Sequence, residues 1–370
     1  MKMAEYYVPC LFGLEGLVAD ELRRMDIHNV RAENGHVRFS GEETDCAKAN
    51  LRLRTGERVL LSLGSFEATS FDALFEGSKA LPWSDYISKD GQFPVKGYCL
   101  NSTLHSVPNC QKIIKKAVSR SLGARYHMDW LPESGAMYQI QFAIVKDRAE
   151  LFLDTTGVPL FKRGYRPAHV AAPLRETLAA GLVSLARYRG RDAFCDPMCG
   201  SGTIAIEAAL AAHNRAPGLQ RSFSAQKWRR ADRSVWIQVA EEARALEYPG
   251  PYEIYASDID PEAVELSRAN AARAGVAEDI RFSVSDACNF IPPANAGVLV
   301  TNPPYGERLL DRDTARQLYQ DLGPALLPPD KWKKFIICSD PEFEIFIGRT
   351  ATKKRKLYNG MLLSWLYMYF

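Results

Sequence analysis

The chain has 370 residues, 46% hydrophobic and 25% charged, with a formal net charge of +3. That length accommodates two domains or three, and that composition is ordinary for a soluble globular protein rather than a disordered or fibrous one. No run of about 18 apolar residues occurs, so no membrane-spanning helix is expected. Met1 to Cys10 lacks a basic segment followed by an apolar one, so no secretory signal is expected either. The eight cysteines have no disulfide-like rhythm and read as reduced thiols of a cytoplasmic protein. Cys195 and Cys199 flank a turn-like Asp-Pro-Met, and no His-x-x-x-His pair occurs, so no metal site is expected. Charge is unevenly spread: residues 1–50 carry 6 Lys/Arg against 9 Asp/Glu, residues 101–191 carry 14 against 6. The second excess is a candidate nucleic-acid footprint, with a merely solvated surface as the alternative.

The first segment reads as strand Tyr6–Cys10, helix Gly13–Met25, strand His36–Phe39, helix Asp45–Leu53 and strand Arg58–Leu63. This order suits a ferredoxin-like α+β layer. A helix over Phe71–Lys79 and a strand around Phe93–Gly97 follow. The next helix, 111–123, is capped by Asn109 and puts Ile113, Ile114, Ala117, Val118 and Leu122 on one side. Its other side carries Lys112, Lys115, Lys116 and Arg120, with no acidic residue from Gln111 to Tyr126. Backbone phosphates suit such a face. Two strands, Met137–Val145 and Ala149–Asp154, flank the polar turn Lys146-Asp147-Arg148.

The basic, aromatic run from Phe161 to Pro167 marks a domain boundary and adds Lys162, Arg163 and Arg166 to the expected phosphate contacts. Beyond it helices and strands alternate. Helices are expected over Glu176–Tyr188, Thr203–Ala212, Pro261–Ala274 and Arg312–Leu322. Strands are expected over Ala193–Cys195, Tyr252–Ala256, Ile280–Val284, Gly297–Thr301, Lys334–Cys338 and Leu363–Tyr369. That alternation predicts a doubly wound, Rossmann-like parallel sheet with ligands outside the carboxyl ends of its strands. The expected division is 1–60, 61–160 and 161–370.

Two loops carry the chemistry. Asp196-Pro-Met-Cys-Gly-Ser-Gly-Thr, between a strand and a helix, lets the backbone turn at Gly200 and Gly202 and approach a nucleoside cofactor. The helix beginning at Thr203 offers free N–H groups to a carboxylate. The run lacks Gly-x-Gly-x-x-Gly and Gly-Lys-Ser/Thr, so it fits neither a dinucleotide nor a triphosphate loop, and a purely structural turn is the remaining alternative. Asp258, ending the next strand, can accept ribose hydroxyls, while Asp260 caps the following helix. Asp286 is placed to accept from an adenine amino group, or else serves as a turn residue. Asn302-Pro-Pro-Tyr-Gly follows an apolar strand. Two prolines stiffen it and remove two donors, leaving the Asn302 side-chain carbonyl and the Pro303 carbonyl as acceptors, with Tyr305 to stack on a base. Acceptors of this kind grip the N–H groups of a planar amine, whose lone pair is delocalised into its ring. Together the loops suggest methyl transfer to the exocyclic nitrogen of a base.

The chain resembles the class I S-adenosylmethionine-dependent RNA methyltransferases that carry an N-terminal THUMP domain. Residues 193–306 resemble their catalytic domain through Asp196–Thr203, Ser257-Asp-Ile-Asp, Ser285-Asp286 and Asn302-Pro-Pro-Tyr-Gly-Glu-Arg. Residues from about 50 to 155 resemble the THUMP part through Ser102-Thr-Leu-His and Gln111-Lys-Ile-Ile-Lys-Lys-Ala. Phe161-Lys-Arg-Gly-Tyr-Arg resembles the joining segment, and the Arg-rich stretch 215–233 is similar to one in the group that methylates N2 of guanine in bacterial 23S ribosomal RNA. The resemblance implies S-adenosylmethionine as cofactor, held by Asp196, Pro197, Gly200, Gly202, Thr203, Asp258, Asp286 and Asn302. It implies catalysis at Asn302, Pro303 and Tyr305, and structured RNA as partner. A transfer-RNA guanine-N2 methyltransferase shares these loops. A protein-glutamine methyltransferase and a DNA adenine methyltransferase share the Asn-Pro-Pro-Tyr loop, but residues 50–166 serve neither. A non-catalytic RNA-binding module would not need both loops.

Overall fold

Two seven-stranded sheets organise the molecule. The structure is a computed structural model and describes residues 3–166, 174–304, 311–329, 331–360 and 362–370.

The first sheet contains β1 (Ala4–Pro9), β2 (Arg31–Glu33), β3 (His36–Gly41), β4 (Leu60–Glu67), β5 (Val95–Leu100), β6 (Ile140–Val145) and β7 (Arg148–Asp154). Their order is β2-β3-β1-β4-β7-β6-β5, with only the β5–β6 pair parallel. Helices α1 (Glu15–Arg23), α2 (Glu43–Arg52), α3 (Phe71–Lys79) and α4 (Val107–Tyr126) bury Val18, Cys46, Leu74 and Ile114 in one core with Val8, Phe39 and Leu151. Strand β4 joins the two expected N-terminal parts: Leu61 pairs with Tyr6 on one side and with Leu153 on the other. Lys146 and Asp147, both at positive φ, make the two-residue turn between β6 and β7, as the right-handed strand twist favours.

Helix α4 starts earlier than expected, and Asn109 does not cap it. Ser106 precedes its first turn without a side-chain bond. Pro108 lies in that turn, where its missing N–H has no helical partner to lose.

The second sheet contains β8 (Ala193–Asp196), β9 (Ile254–Asp258), β10 (Ile280–Val284), β11 (Ala296–Thr301), β12 (Lys331–Cys338), β13 (Lys353–Asn359) and β14 (Leu362–Tyr369). The order is β10-β9-β8-β11-β12-β14-β13, parallel as far as β12 and antiparallel beyond. The helices of this half of the chain are α5 (Glu176–Leu185), α6 (Thr203–Ala212), α7 (Arg233–Ala245), α8 (Pro261–Ala274), α9 (Arg312–Leu326) and the single turn α10 (Phe343–Phe346). This is the expected α/β architecture, with the winding direction reversing between β8 and β11. The sequence reading missed α7 and β13. Trp236 and Val239 of α7, with Phe223 before it, enter the core of the first sheet. The Arg-rich stretch therefore leads into a strap between the layers. Within it, Arg221 donates to the carbonyls of Val158, Pro159 and Lys162.

Candidate active site

Parallel strands direct their carboxyl ends to one edge, and at a winding reversal two neighbouring loops diverge and leave a crevice. Here those loops follow β8 and β11, the same two that carry the sequence motifs. The Thr301 hydroxyl donates to Asp196 Oδ1 at 2.9 Å, tying their bases together.

The glycine loop is held from outside. Gly200 and Gly202 have φ of +52° and +78°, a region that favours glycine. At Gly202 a Cβ would meet Ser267 at 3.0 Å, whereas at Gly200 it would meet nothing within 4 Å. Ser267 donates to the Gly200 carbonyl (2.7 Å) and Asn270 to the Ser201 carbonyl (2.9 Å), both from α8. These clamping residues were missed in the sequence, where their i, i+3 spacing on one helix face was the available sign. Asp258 Oδ2 accepts the Gly200 N–H at 2.8 Å and Oδ1 accepts that of Asp260 at 3.1 Å. Each oxygen keeps a lone pair for a ligand hydroxyl. Asp260 does cap α8, accepting from the Glu262 N–H at 2.9 Å.

Asp196 is buried, and its Oδ2 has no partner among the described residues. Burial pushes its carboxyl up to about 7; hydrogen bonds from Thr301 and Met198 oppose this, and the charge of Asp258 adds to it. Pro197 is buried beside it. Asp286 Oδ1 accepts the Cys288 N–H at 2.9 Å, so this residue caps a 3-10 turn. The Thr203 hydroxyl lies 3.2 Å from Arg166 Nη1, which donates to it.

Asn302 is half-buried, and its Oδ1 is enclosed without a hydrogen-bond donor among the described residues. Pro303 is buried. The Pro304 carbonyl accepts from the Tyr319 hydroxyl of α9 at 3.0 Å, fixing the loop from behind. Tyr305 lies outside the described residues. Among those described, no three of His, Cys, Asp and Glu group so as to hold a metal ion.

The expected phosphate contacts divide. Lys112, Lys116, Arg120 and Lys162 are exposed. Three others are corrected. Lys115 is bound to Glu133 at 2.5 Å and lies 3.6 Å from the Phe93 ring centroid. Arg163 is only 3% exposed, because it neutralises the interior carboxylate Glu207 (3.4 Å) and donates to the carbonyls of Leu160 (2.7 Å) and Arg54 (2.5 Å). Arg166 forks onto Glu176 at 3.0 and 2.5 Å, which holds the starts of α5 and α6 together.

A glycine loop and an Asn-Pro-Pro loop side by side at the reversal of a doubly wound sheet define an α/β methyltransferase-type domain. The chain belongs to the RMKL-like methyltransferase family: that family's methyltransferase domain matches residues 163–366, the RlmL ferredoxin-like domain residues 5–60 and the THUMP domain residues 68–154. It is 42% identical, over 100% of its length and 96% of the relative's, to YpsC of Bacillus subtilis (strain 168), described as a putative RNA methyltransferase. It is 36% identical to a ribosomal RNA large subunit methyltransferase K/L of Psychromonas ingrahamii, matching over 97% of this chain but 49% of that one. The chain thus spans about half the length of the K/L relatives it matches. Among solved structures, SMU.472, crystallised with SAH, superposes with a TM-score of 0.94 at 38% identity, covering 100% of this chain and 98% of that one.

Proposed function

We propose that this protein transfers a methyl group from S-adenosylmethionine to N2 of a guanine in structured RNA, with 23S ribosomal RNA as the substrate, in the cytoplasm. The observation that carries the reading is the enclosed Oδ1 of Asn302, an acceptor beside the cofactor loop that has no hydrogen-bond donor among the described residues. A buried polar atom without a partner is costly in a folded protein and calls for a ligand donor. The residues also fit the cofactor: open space over Gly200 admits a nucleoside, and Asp258 keeps lone pairs for its ribose hydroxyls. Asp286, which follows β10, would accept from the adenine amino group.

S-adenosylmethionine supplies an activated sulfonium methyl. The chain's own work is therefore alignment. Asn302 Oδ1 and the Pro303 carbonyl accept the two N–H bonds of the amine and favour its pyramidal form. Pro303 and Pro304 stiffen that grip, and Tyr319 anchors it. Tyr305 stacks on the base. No general base is assigned: once methylated, the nitrogen is acidic and releases its proton to Asn302, the Pro303 carbonyl or water. The base leaves its stack to reach this depth, while the THUMP domain holds the RNA by shape and phosphates. The names of the YpsC and K/L relatives support RNA, and large-subunit ribosomal RNA in particular, over the DNA, protein-amide and transfer-RNA readings.

The test is Asn302→Ala, assayed with labelled cofactor and ribosomal RNA from cells lacking the protein, with the modified nucleotide mapped. Turnover is expected to vanish while calorimetric cofactor affinity stays close to wild type; retained turnover overturns the assignment.

A further inference from the structure

A groove of about 1160 Å³ opens at the end of the second sheet opposite the methyl-transfer loops. One wall comes from the end of α1 and from Arg52 and Arg54. The other is the amino-terminal edge of the sheet, from Arg187–Arg189 before β8 through Lys333 of β12 to Lys353 of β13. Arg24, Arg187, Arg189, Lys333 and Lys353 all line it and all are exposed. Among the described residues none of them has an ion-pair partner. Its acids are occupied: Asp20 pairs with Arg23 at 3.1 Å, and Glu21 accepts from the Arg54 N–H (2.7 Å) and the Thr55 hydroxyl (2.8 Å). Arg54 Nη1 is enclosed without an acceptor among the described residues, although Nη2 is bound to the carbonyls of Leu210 and Arg215. Two rings beside these cations, Tyr248 and Phe370, are each 59% exposed.

We infer that this groove binds a single-stranded segment of the substrate RNA, remote from the base that is methylated. The inference rests on the RNA reading above. A volume of about 1160 Å³ is far more than one phosphate ion fills. Unpaired cations on both walls match a run of backbone phosphates, and exposed rings beside them give bases a surface to stack on. The active site and α4 belong to other faces, so the RNA contacts the protein at two separated places. A segment held behind the sheet adds affinity through the shared chain without touching the reacting base.

The test replaces Lys333→Glu with Lys353→Glu, both at exposed strand positions. Binding of a 20-nucleotide oligouridylate is followed by fluorescence anisotropy across a salt series. Steady-state methylation of a full-length 23S ribosomal RNA transcript is measured beside it. The salt slope is expected to become shallower by about 1.4, at roughly 0.7 for each single-strand phosphate no longer neutralised. KM for the transcript is expected to rise about tenfold with kcat unchanged. Lys333→Gln with Lys353→Gln predicts the same change in slope without charge reversal, and Lys333→Arg with Lys353→Arg keeps the wild-type slope. A wild-type slope in both the Glu and the Gln variants overturns the inference, as it would if an acidic protein segment occupied the groove. Wild-type protein that binds RNA here yet methylates none would sink the proposed function alone; methylation with an unaltered KM in the variants would sink this inference alone.

Discussion

Arg163→Ala separates a buried lock from an RNA contact. The guanidinium neutralises Glu207, which is fully buried in α6, and donates to the carbonyls of Leu160 and Arg54. Without it, Glu207 keeps among the described residues only the Tyr165 hydroxyl at 3.1 Å, and its other oxygen already lacks a partner there. Breaking one side of a buried pair costs about 3–5 kcal/mol, and the two orphaned carbonyls place this case at the upper end. Against a native stability of about 5–15 kcal/mol, that is a large fraction. Urea unfolding of the full chain, followed by near-ultraviolet circular dichroism, is expected to shift to a markedly lower midpoint. Arg163→Met combined with Glu207→Leu is expected to recover part of the loss, because neither member of the pair is then left as an uncompensated buried charge, while the carbonyls of Leu160 and Arg54 stay without that donor. Were Arg163 a phosphate contact, the single variant would unfold at the wild-type urea concentration and shed about 0.7–0.9 of salt slope in RNA binding. That result would refute the reasoning.

Two further outcomes are expected. Burial holds the Asp196 carboxyl at about 7 against an ordinary 3.8, so near neutrality the folded protein keeps a proton that the unfolded chain has released. The stability this group contributes is therefore complete below about pH 4 and lost as pH rises through about 7. Relative to wild type, Asp196→Asn should gain up to about 4 kcal/mol on going from pH 4 to pH 8, read from urea midpoints; a pH-independent difference would contradict the burial argument. On α4, replacing Lys112, Lys116 and Arg120 with Glu should weaken RNA binding and flatten its salt slope by about 2–3, whereas Lys115→Gln, which breaks the pair with Glu133, should change melting temperature more than slope.

Much of the fold was legible because the decisive signals are local. Pro261 opens α8 behind the Asp260 cap, Gly275 closes it at φ +72°, and the expected helix matches the observed one residue for residue. Strand β13 carried no such signal. Lys353-Lys-Arg-Lys-Leu-Tyr-Asn reads as solvated charge, and only Leu357 of it is buried. It is an edge strand, where lysines guard against unwanted pairing, so the features that protect it also disguise it. Helix α7 was hidden differently. Trp236, Val239 and Ala243 make a helical stripe, but it follows directly on the Arg-rich stretch 215–233, and its partner α2 is nearly two hundred residues earlier in the chain.

At the site, Asn302 was singled out from its loop as an acceptor, and the structure encloses its Oδ1 without a donor among the described residues. The fate of the linker arginines could not be read from charge counts, which treat every cation as equally free. A sharper sign was nevertheless present. Helix α6 runs Thr-Ile-Ala-Ile-Glu-Ala-Ala-Leu-Ala-Ala, and Glu207 is its only charge. A carboxylate enclosed on all sides by apolar neighbours needs a cation that is equally enclosed. The nearest unassigned cations in a chain turning back onto that helix were those of Phe161-Lys-Arg-Gly-Tyr-Arg. Glu207 claims Arg163, Glu176 claims Arg166, and Lys162, with no interior acid to meet, stays outside. Interior carboxylates, more than the local density of positive charge, decide which arginines remain available to RNA.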